Sequence, residues 1–190
     1  LEKGYRLSSA NSINIGRLVP QIVYYVYAYC RLLQGGELKS GESLNVSVPT
    51  GNFGNILAAY CAKQMGLPLG KLLCASNDNK VLTDFFRTGI YDKNRPFHVT
   101  SSPSMDILIS SNLERLLYFA GKNADECKRL MEELKDKGKY RISETIAREL
   151  KDFYSGYGKE AEGSQSIFQT YKETGYVLDP HTAVAKVVAD

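Results

Sequence analysis

The stretch Val46-Ser47-Val48-Pro49-Thr50-Gly51-Asn52-Phe53-Gly54-Asn55-Ile56-Leu57 constrains this chain more than any other. Leu44 to Val48 alternates and is rich in branched apolar residues, which predicts a buried strand. Ile56 to Met65 carries apolar residues at helical spacing and is rich in alanine, which predicts a helix. The turn between them holds two glycines and two asparagines, residue types that tolerate left-handed backbone angles. Such a turn can aim several backbone N–H groups at one point, and the helix adds the positive end of its dipole there. The combination makes an anion site, most often one for phosphate, with no side-chain charge required. No Gly-Lys-Ser/Thr follows, so the loop is not a nucleotide P-loop, and it does not fit Gly-x-Gly-x-x-Gly. The ordinary alternative is a plain strand-to-helix turn with Asn52 or Asn55 capping the helix.

A chain of 190 residues with 43% hydrophobic residues can bury a real core. Its net charge of +3 is spread out and argues for neither nucleic acid nor a membrane surface as partner. Cys30, Cys61, Cys74 and Cys127 are scattered, without a Cys-x-x-Cys pair, and there are only 2 histidines. No metal site is expected from such a set. Most of these cysteines fall in apolar runs, which predicts buried free thiols in a reducing compartment, the cytoplasm. No signal peptide is expected from the residues present. The most apolar run, Leu18 to Leu33, contains Pro20, Gln21, four tyrosines and Arg31, and is expected as a buried helix rather than a membrane span. The chain starts at Leu1 without Met and stops at Asp190 inside an apolar helical pattern, as a piece of a longer protein does.

The pattern along the chain is helix, strand, loop, helix, strand, helix, the order of a parallel α/β sheet. A helix is expected from the recurrence of Ile15, Val19, Ile22, Val26, Cys30 and Leu33, ending at Gly35-Gly36. Asn11, Ser12 and Asn14 precede it. They are capping residues in the ordinary reading; together with Arg17 they also have the makings of a second anion site. Lys71 to Ala75 is expected as a second strand, followed by a helix that Ser76-Asn77-Asp78-Asn79 caps and Gly89 closes. In such sheets ligands lie beyond the carboxyl ends of the strands. Thr50 to Asn55 and Ser76 to Asn79 both occupy that edge.

Farther on, Phe97 to Thr100 is expected as a short strand and Ser111-Asn112-Leu113-Glu114 as a capping box. A highly charged helical stretch runs from Lys122 to Tyr140, and a helix capped by Ser143 reaches about Phe153. Tyr154 to Gly163 reads as a loop, and Ser164 caps a helix ending at Gly175. Asp179-Pro180 starts a last helix, with Asp179 as a cap beside an exposed His181 rather than as a catalyst. The division expected is an α/β core over 1–120, a polar helical insertion or peripheral layer over 121–163, and a return to the core over 164–190.

Six segments, in order, resemble the threonine synthase family. They are Asn11-Ser12-Ile13-Asn14 with Arg17, Pro49 to Asn55, Ser76 to Phe85, Ser102 to Ile107, Ser111 to Arg115 and Asp179 to Val184. The resemblance covers nearly the whole chain except 122–163. It implies an α/β fold, the three-layer parallel-sheet core of a fold type II pyridoxal-phosphate enzyme, with a peripheral helical insertion. It also implies a reaction, conversion of O-phospho-L-homoserine and water into L-threonine and phosphate. By analogy Gly51, Asn52, Phe53, Gly54 and Asn55 hold the phosphate of pyridoxal 5'-phosphate. Asn11, Ser12 and Arg17, with Asn14 beside them, hold that of the substrate. The family's Schiff-base lysine, in a Ser-Phe-Lys-Asp-like stretch, has no counterpart here, nor does a later Thr-Ala-His-Pro-like stretch. No catalytic residue is therefore expected in this chain, which should be inactive without the remaining segments of its own protein. Absent flanking strands would leave sheet edges open to association. Two other readings remain, another fold type II lyase or dehydratase and a non-catalytic phosphate-binding α/β module.

Overall fold

A computed structural model describes residues 11–190. Three parallel strands, β1 (Leu44–Pro49), β2 (Leu69–Ser76) and β5 (Phe153–Tyr157), form the central sheet in the order β1-β2-β5. A two-stranded antiparallel ribbon, β3 (Ile90–Asp92) and β4 (Lys139–Arg141), stands apart. The helices are α1 (Ile15–Gln34), α2 (Gly54–Gln64), α3 (Val81–Thr88), α4 (Leu113–Gly121), α5 (Ala124–Lys137), α6 (Glu144–Glu149), α7 (Glu160–Thr174) and α8 (Pro180–Ala189).

The layers follow from where the apolar residues fall. Ile56, Leu57, Ala58, Ala59 and Ala62 of α2 and Val81, Leu82 and Phe85 of α3 are buried with Val48, Leu72, Cys74 and Phe153 of the sheet. On the opposite face α8 lies across all three strands, where Val184 and Ala185 pack on Ala75 and the Ser47 hydroxyl donates to the Ala185 carbonyl at 2.6 Å. Small residues let that layer come close, since a Cβ on Gly156 would stand 2.9 Å from Val188. This is the expected three-layer α/β core, with its helices packed on both faces of a parallel sheet.

Several elements differ from the sequence expectation. Tyr154 to Tyr157, expected as loop, lies in β5 and pairs with Leu73 to Ser76 of β2, while Leu130, Tyr140 and Ile146 reach the main core. Phe97 to Thr100 forms no strand: Phe97 and Val99 face solvent, and the backbone of His98 is held by the Asn79 side chain. The α1 helix has the expected length but is not enclosed. Leu18 and Tyr29 are buried, with Ile22 and Tyr25 packed beside them, whereas Val19, Val23 and Tyr27 are exposed. The cause is geometric: among the described elements α1 packs substantially on α2 alone, so one stripe is covered. No helix of the described residues is long and apolar enough to cross a membrane.

Candidate functional site

The loop that joins β1 to α2 lies at the carboxyl edge of the sheet, where the Thr50 N–H donates to the Ala75 carbonyl at 2.9 Å. Its carbonyls are clamped from one side. Ser110 Oγ donates to the Gly51 oxygen at 2.7 Å, and Asn112 gives the Asn52 oxygen two donors, Nδ2 at 2.8 Å and the backbone N at 3.1 Å. A trans peptide sets its N–H opposite to its C=O. The clamps therefore turn the N–H groups of Asn52 and Phe53 away from Ser110 and Asn112. The Phe53 carbonyl accepts from the Leu57 N–H at 3.1 Å, down the helix, so the Gly54 N–H points out of its amino end. None of these three N–H groups donates to another group of the described chain. Unpaired donors at a helix amino terminus, with no acidic side chain in the loop, are an arrangement able to hold an anion.

The local cause is not the one that composition suggests. The left-handed residue is Phe53, at φ 63°, and not a glycine or an asparagine. A left-handed non-glycine residue costs about 1–2 kcal/mol. The Phe53 ring is 1% exposed and lies 6.0 Å from both Phe86 and Phe153. Burying such a ring returns about 1.5–3 kcal/mol, which holds the strained residue in place. Neither Asn52 nor Asn55 caps α2: the cap position is Phe53 itself, with no side-chain bond. Asn55 turns to α1, accepting from the Tyr25 hydroxyl and donating to Gln21 Oε1 at 3.1 Å. Burial pushes the Tyr25 phenol well above its ordinary range.

The two loop glycines have different reasons. A Cβ on Gly51 would collide with the Ser104 carbonyl oxygen, in the 3-10 turn Pro103–Met105. At Gly54 the nearest atom to a Cβ is 3.7 Å away, an ordinary contact.

Around the second candidate segment, the capping reading holds for Asn14, whose side chain accepts from the Gly16 N–H at 2.8 Å. Asn11 Oδ1 accepts from the Ile13 N–H at 3.2 Å and from the Ser12 hydroxyl at 3.4 Å. Arg17 lies on the first turn of α1 and is exposed. The structure brings this segment against the loop. Asn112 Nδ2, besides holding Asn52, donates to the Ser12 carbonyl at 3.2 Å, and Arg115 Nη2 donates to the Ile13 carbonyl at 2.6 Å. The capping box expected at Ser111 to Glu114 is absent: the cap position of α4 is Asn112, one residue later, and it makes no side-chain capping bond.

Behind the loop, Asn77 and Asn79 do not cap α3 as expected. Asn77 Nδ2 donates to Asp106 Oδ1 at 2.7 Å and to the Ser102 hydroxyl at 2.9 Å, and Asn79 Nδ2 donates to the same carboxylate oxygen at 3.0 Å. Thr100 adds its N–H and hydroxyl at 2.9 and 2.8 Å. A carboxylate with this many donors pins the 97–106 segment under the loop. Asp179 caps α8 as expected, accepting from the His181 N–H at 2.9 Å. Its carboxyl is held below its ordinary value, chiefly by the Thr182 hydroxyl. The His181 ring joins Asp179 Oδ1 at 3.0 Å through Nδ1, and its Nε2 accepts the Ser104 N–H at 3.2 Å. Both ring nitrogens are thus occupied, Nδ1 within the cap of α8 and Nε2 in packing that helix on the turn beside Gly51. A cavity of about 810 Å³ between α4 and α5 contains none of the nine candidate residues.

Sequence reasoning missed Ser110, Asn112, Arg115 and Asp106 as site builders, although three of them lie in motifs it singled out and Ser110 lies beside one. No protein-family model matches the chain. It is similar to "Threonine synthase-like 1" of Homo sapiens, 50% identical over 193 residues that cover 100% of this chain and 26% of that protein. It is 39% identical to the threonine synthase of Saccharomyces cerevisiae, over 95% of this chain and 37% of that protein. The solved structure of a PLP-bound threonine synthase from Brucella melitensis superposes with a TM-score of 0.90 at 42% identity, covering 96% of this chain and 39% of that one. The chain thus spans 26% to 39% of the length of these relatives.

Proposed function

We propose that this chain, whose whole length is similar to one stretch of the threonine synthases, is the part of such an enzyme that grips two phosphates. In this reading the whole protein converts O-phospho-L-homoserine and water into L-threonine and phosphate with pyridoxal 5'-phosphate. The observation that carries it is the clamping of the Gly51 and Asn52 carbonyls, which leaves the N–H groups of Asn52, Phe53 and Gly54 turned outward together.

Residues 51–55 fit the cofactor phosphate: fixed backbone donors, a helix amino terminus and no competing anion. Asn11, Ser12, Asn14 and Arg17 would take the substrate phosphate, which is also the leaving group. When bound, the cofactor supplies an electron sink for negative charge developed on the substrate carbons. The chain's own part is positional and electrostatic. Donors already fixed by Ser110 and Asn112 would hold the cofactor phosphate without reorganisation on binding, and the Arg17 guanidinium would offset the charge on the departing phosphate. Two grips on one substrate–cofactor pair hold the reacting carbons between them.

No Ser-Phe-Lys-Asp-like stretch occurs in these residues. Two lysines near the sheet are engaged elsewhere, Lys71 4.8 Å over the Tyr154 ring and Lys80 4.6 Å over the Tyr157 ring. In this reading the 190 residues alone make no threonine. The four cysteines are free thiols, which fits a reducing, cytoplasmic setting.

Arg17→Ala in the full-length enzyme is the test. Charge-assisted hydrogen bonds contribute about 1.5–3 kcal/mol, so kcat/KM for O-phospho-L-homoserine should fall roughly 10- to 100-fold while cofactor affinity stays near wild type. Equal losses of both would refute the assignment.

A further inference from the structure

We propose that Asn112 is a positioning residue that fixes the separation of the two phosphate-gripping segments, so that the grip at one depends on the other. The proposal rests on the reading above. Asn112 is fully buried at 0% exposure, and both of its strong side-chain bonds leave its own helix. Its Nδ2 donates to the Ser12 carbonyl at 3.2 Å and to the Asn52 carbonyl at 2.8 Å, one in each segment. Its Oδ1 accepts from Arg115 Nε at 3.3 Å. This orientation of the amide is forced, since both carbonyls only accept and the guanidinium only donates. Arg115 extends the brace to the Ile13 carbonyl at 2.6 Å. Two residues at the start of α4 therefore hold consecutive carbonyls of the substrate-side segment and one carbonyl of the loop.

Asn112 also occupies the cap position of α4, yet makes no capping bond there. An asparagine cap is worth about 1 kcal/mol, and the chain forgoes it. The side chain serves the strut instead. With both amide hydrogens committed, the strut has no slack, and a shift of residues 11–14 pulls on the peptide whose N–H belongs to Phe53.

The test is a double-mutant cycle on the full-length holoenzyme, read by calorimetric titration with inorganic phosphate and by steady-state kinetics. Asn112→Asp keeps the volume and removes the two donors. We expect phosphate affinity to fall tenfold or more in Asn112→Asp and in Arg17→Ala, with the double variant within threefold of Arg17→Ala alone. Asn112→Asp within threefold of wild type, or losses that multiply in the double variant, would overturn the proposal. If Asn112→Asp does not fold, Arg115→Met at its half-buried position takes its place, with a threefold or larger loss that again does not multiply with Arg17→Ala. Unchanged phosphate binding in Arg115→Met then counts as refutation. A wild-type holoenzyme that leaves O-phospho-L-homoserine untouched would sink the functional reading alone, because the phosphate titration still decides the coupling.

Discussion

Gly51 and Gly54 stand three residues apart in one loop, and adding a methyl group to each should have opposite consequences. At Gly51 the new Cβ meets the Ser104 carbonyl oxygen, a backbone atom. That oxygen cannot easily retreat, because the Ser104 N–H is bonded to His181 Nε2 at 3.2 Å and the turn is closed by Met105 N–H to the Ser102 carbonyl at 2.9 Å. Overpacking of this kind costs about 1–3 kcal/mol. The entropy lost from the unfolded chain returns about 0.4–1 kcal/mol. Gly51→Ala should therefore destabilise by up to about 2.6 kcal/mol, the overpacking cost less that return.

Gly54 opens α2 without a left-handed angle, and its Cβ would find the Asn112 and Gln21 side-chain nitrogens at 3.7 and 3.8 Å. The clash term is absent and the entropy term remains. Gly54→Ala should leave stability unchanged or raise it by up to about 1 kcal/mol. The protein's own packing does not call for glycine at 54; in the proposed reading the cofactor phosphate approaches the backbone closely there. Affinity for pyridoxal 5'-phosphate should fall at least tenfold in Gly54→Ala. Urea denaturation followed by circular dichroism gives the stabilities, and calorimetric titration of the cofactor into the full-length apoprotein gives the affinities. The reasoning is refuted if Gly54→Ala loses as much stability as Gly51→Ala, or if it binds the cofactor as the parent does.

Phe53 supplies a second contrast. Removing the ring should cost about 3–5 kcal/mol in Phe53→Ala. Phe53→Gly should be no less stable, against the usual 0.5–1 kcal/mol penalty of roughly that size for glycine, because it relieves the left-handed angle; a clearly less stable glycine variant in denaturant titration would contradict the φ of 63°. Burial raises the Cys74 thiol from 9.0 to about 12 and the Tyr91 phenol from 10.0 to about 12. Groups raised in the folded state stabilise it below their unfolded values and lose that contribution as pH climbs towards the folded ones. The denaturation midpoint should hold to about pH 9 and decline beyond it, by about 1.4 kcal/mol per pH unit per proton. Native protein should alkylate at exposed Cys30 well before Cys74, and equal rates would show that the interior is open.

What the sequence disclosed was whatever depends on neighbours in the chain. The strand, loop and helix at 44–64, the glycine ends of α3 and α7, and the Asp179-Pro180 start of α8 are set by local spacing and local bonds. Residues 153–157 were illegible because Phe153-Tyr154-Ser155-Gly156-Tyr157 is short and glycine-bearing, and becomes a strand only by pairing with β2. The α1 helix was legible in length but not in facing. Its apolar residues nearly encircle it, so periodicity could not choose between the Ile15-Val19-Val26 row, which is exposed, and the Leu18-Ile22-Tyr25-Tyr29 row, which packs.

The candidate site divides along the same line. Its donors are backbone groups of a recognisable turn, whereas the groups that aim them come from far along the chain. Ser110 is 59 residues from Gly51, and Asn112 is 60 from Asn52 and 100 from Ser12. In each case the acceptor is a main-chain carbonyl, which every residue has, so nothing in the sequence marks it. A polar residue just before a helix then reads as a cap, because capping is the commonest use of such a residue. The absence of the capping bond at Asn112, and of one from Asn77 or Asn79 at α3, is what separates a helix terminus from a builder of the site. In the proposed reading, groups outside the turn hold its carbonyls and so aim its N–H groups. Here the burial of Asn112 at 0% exposure makes that hold part of the core rather than a loop contact.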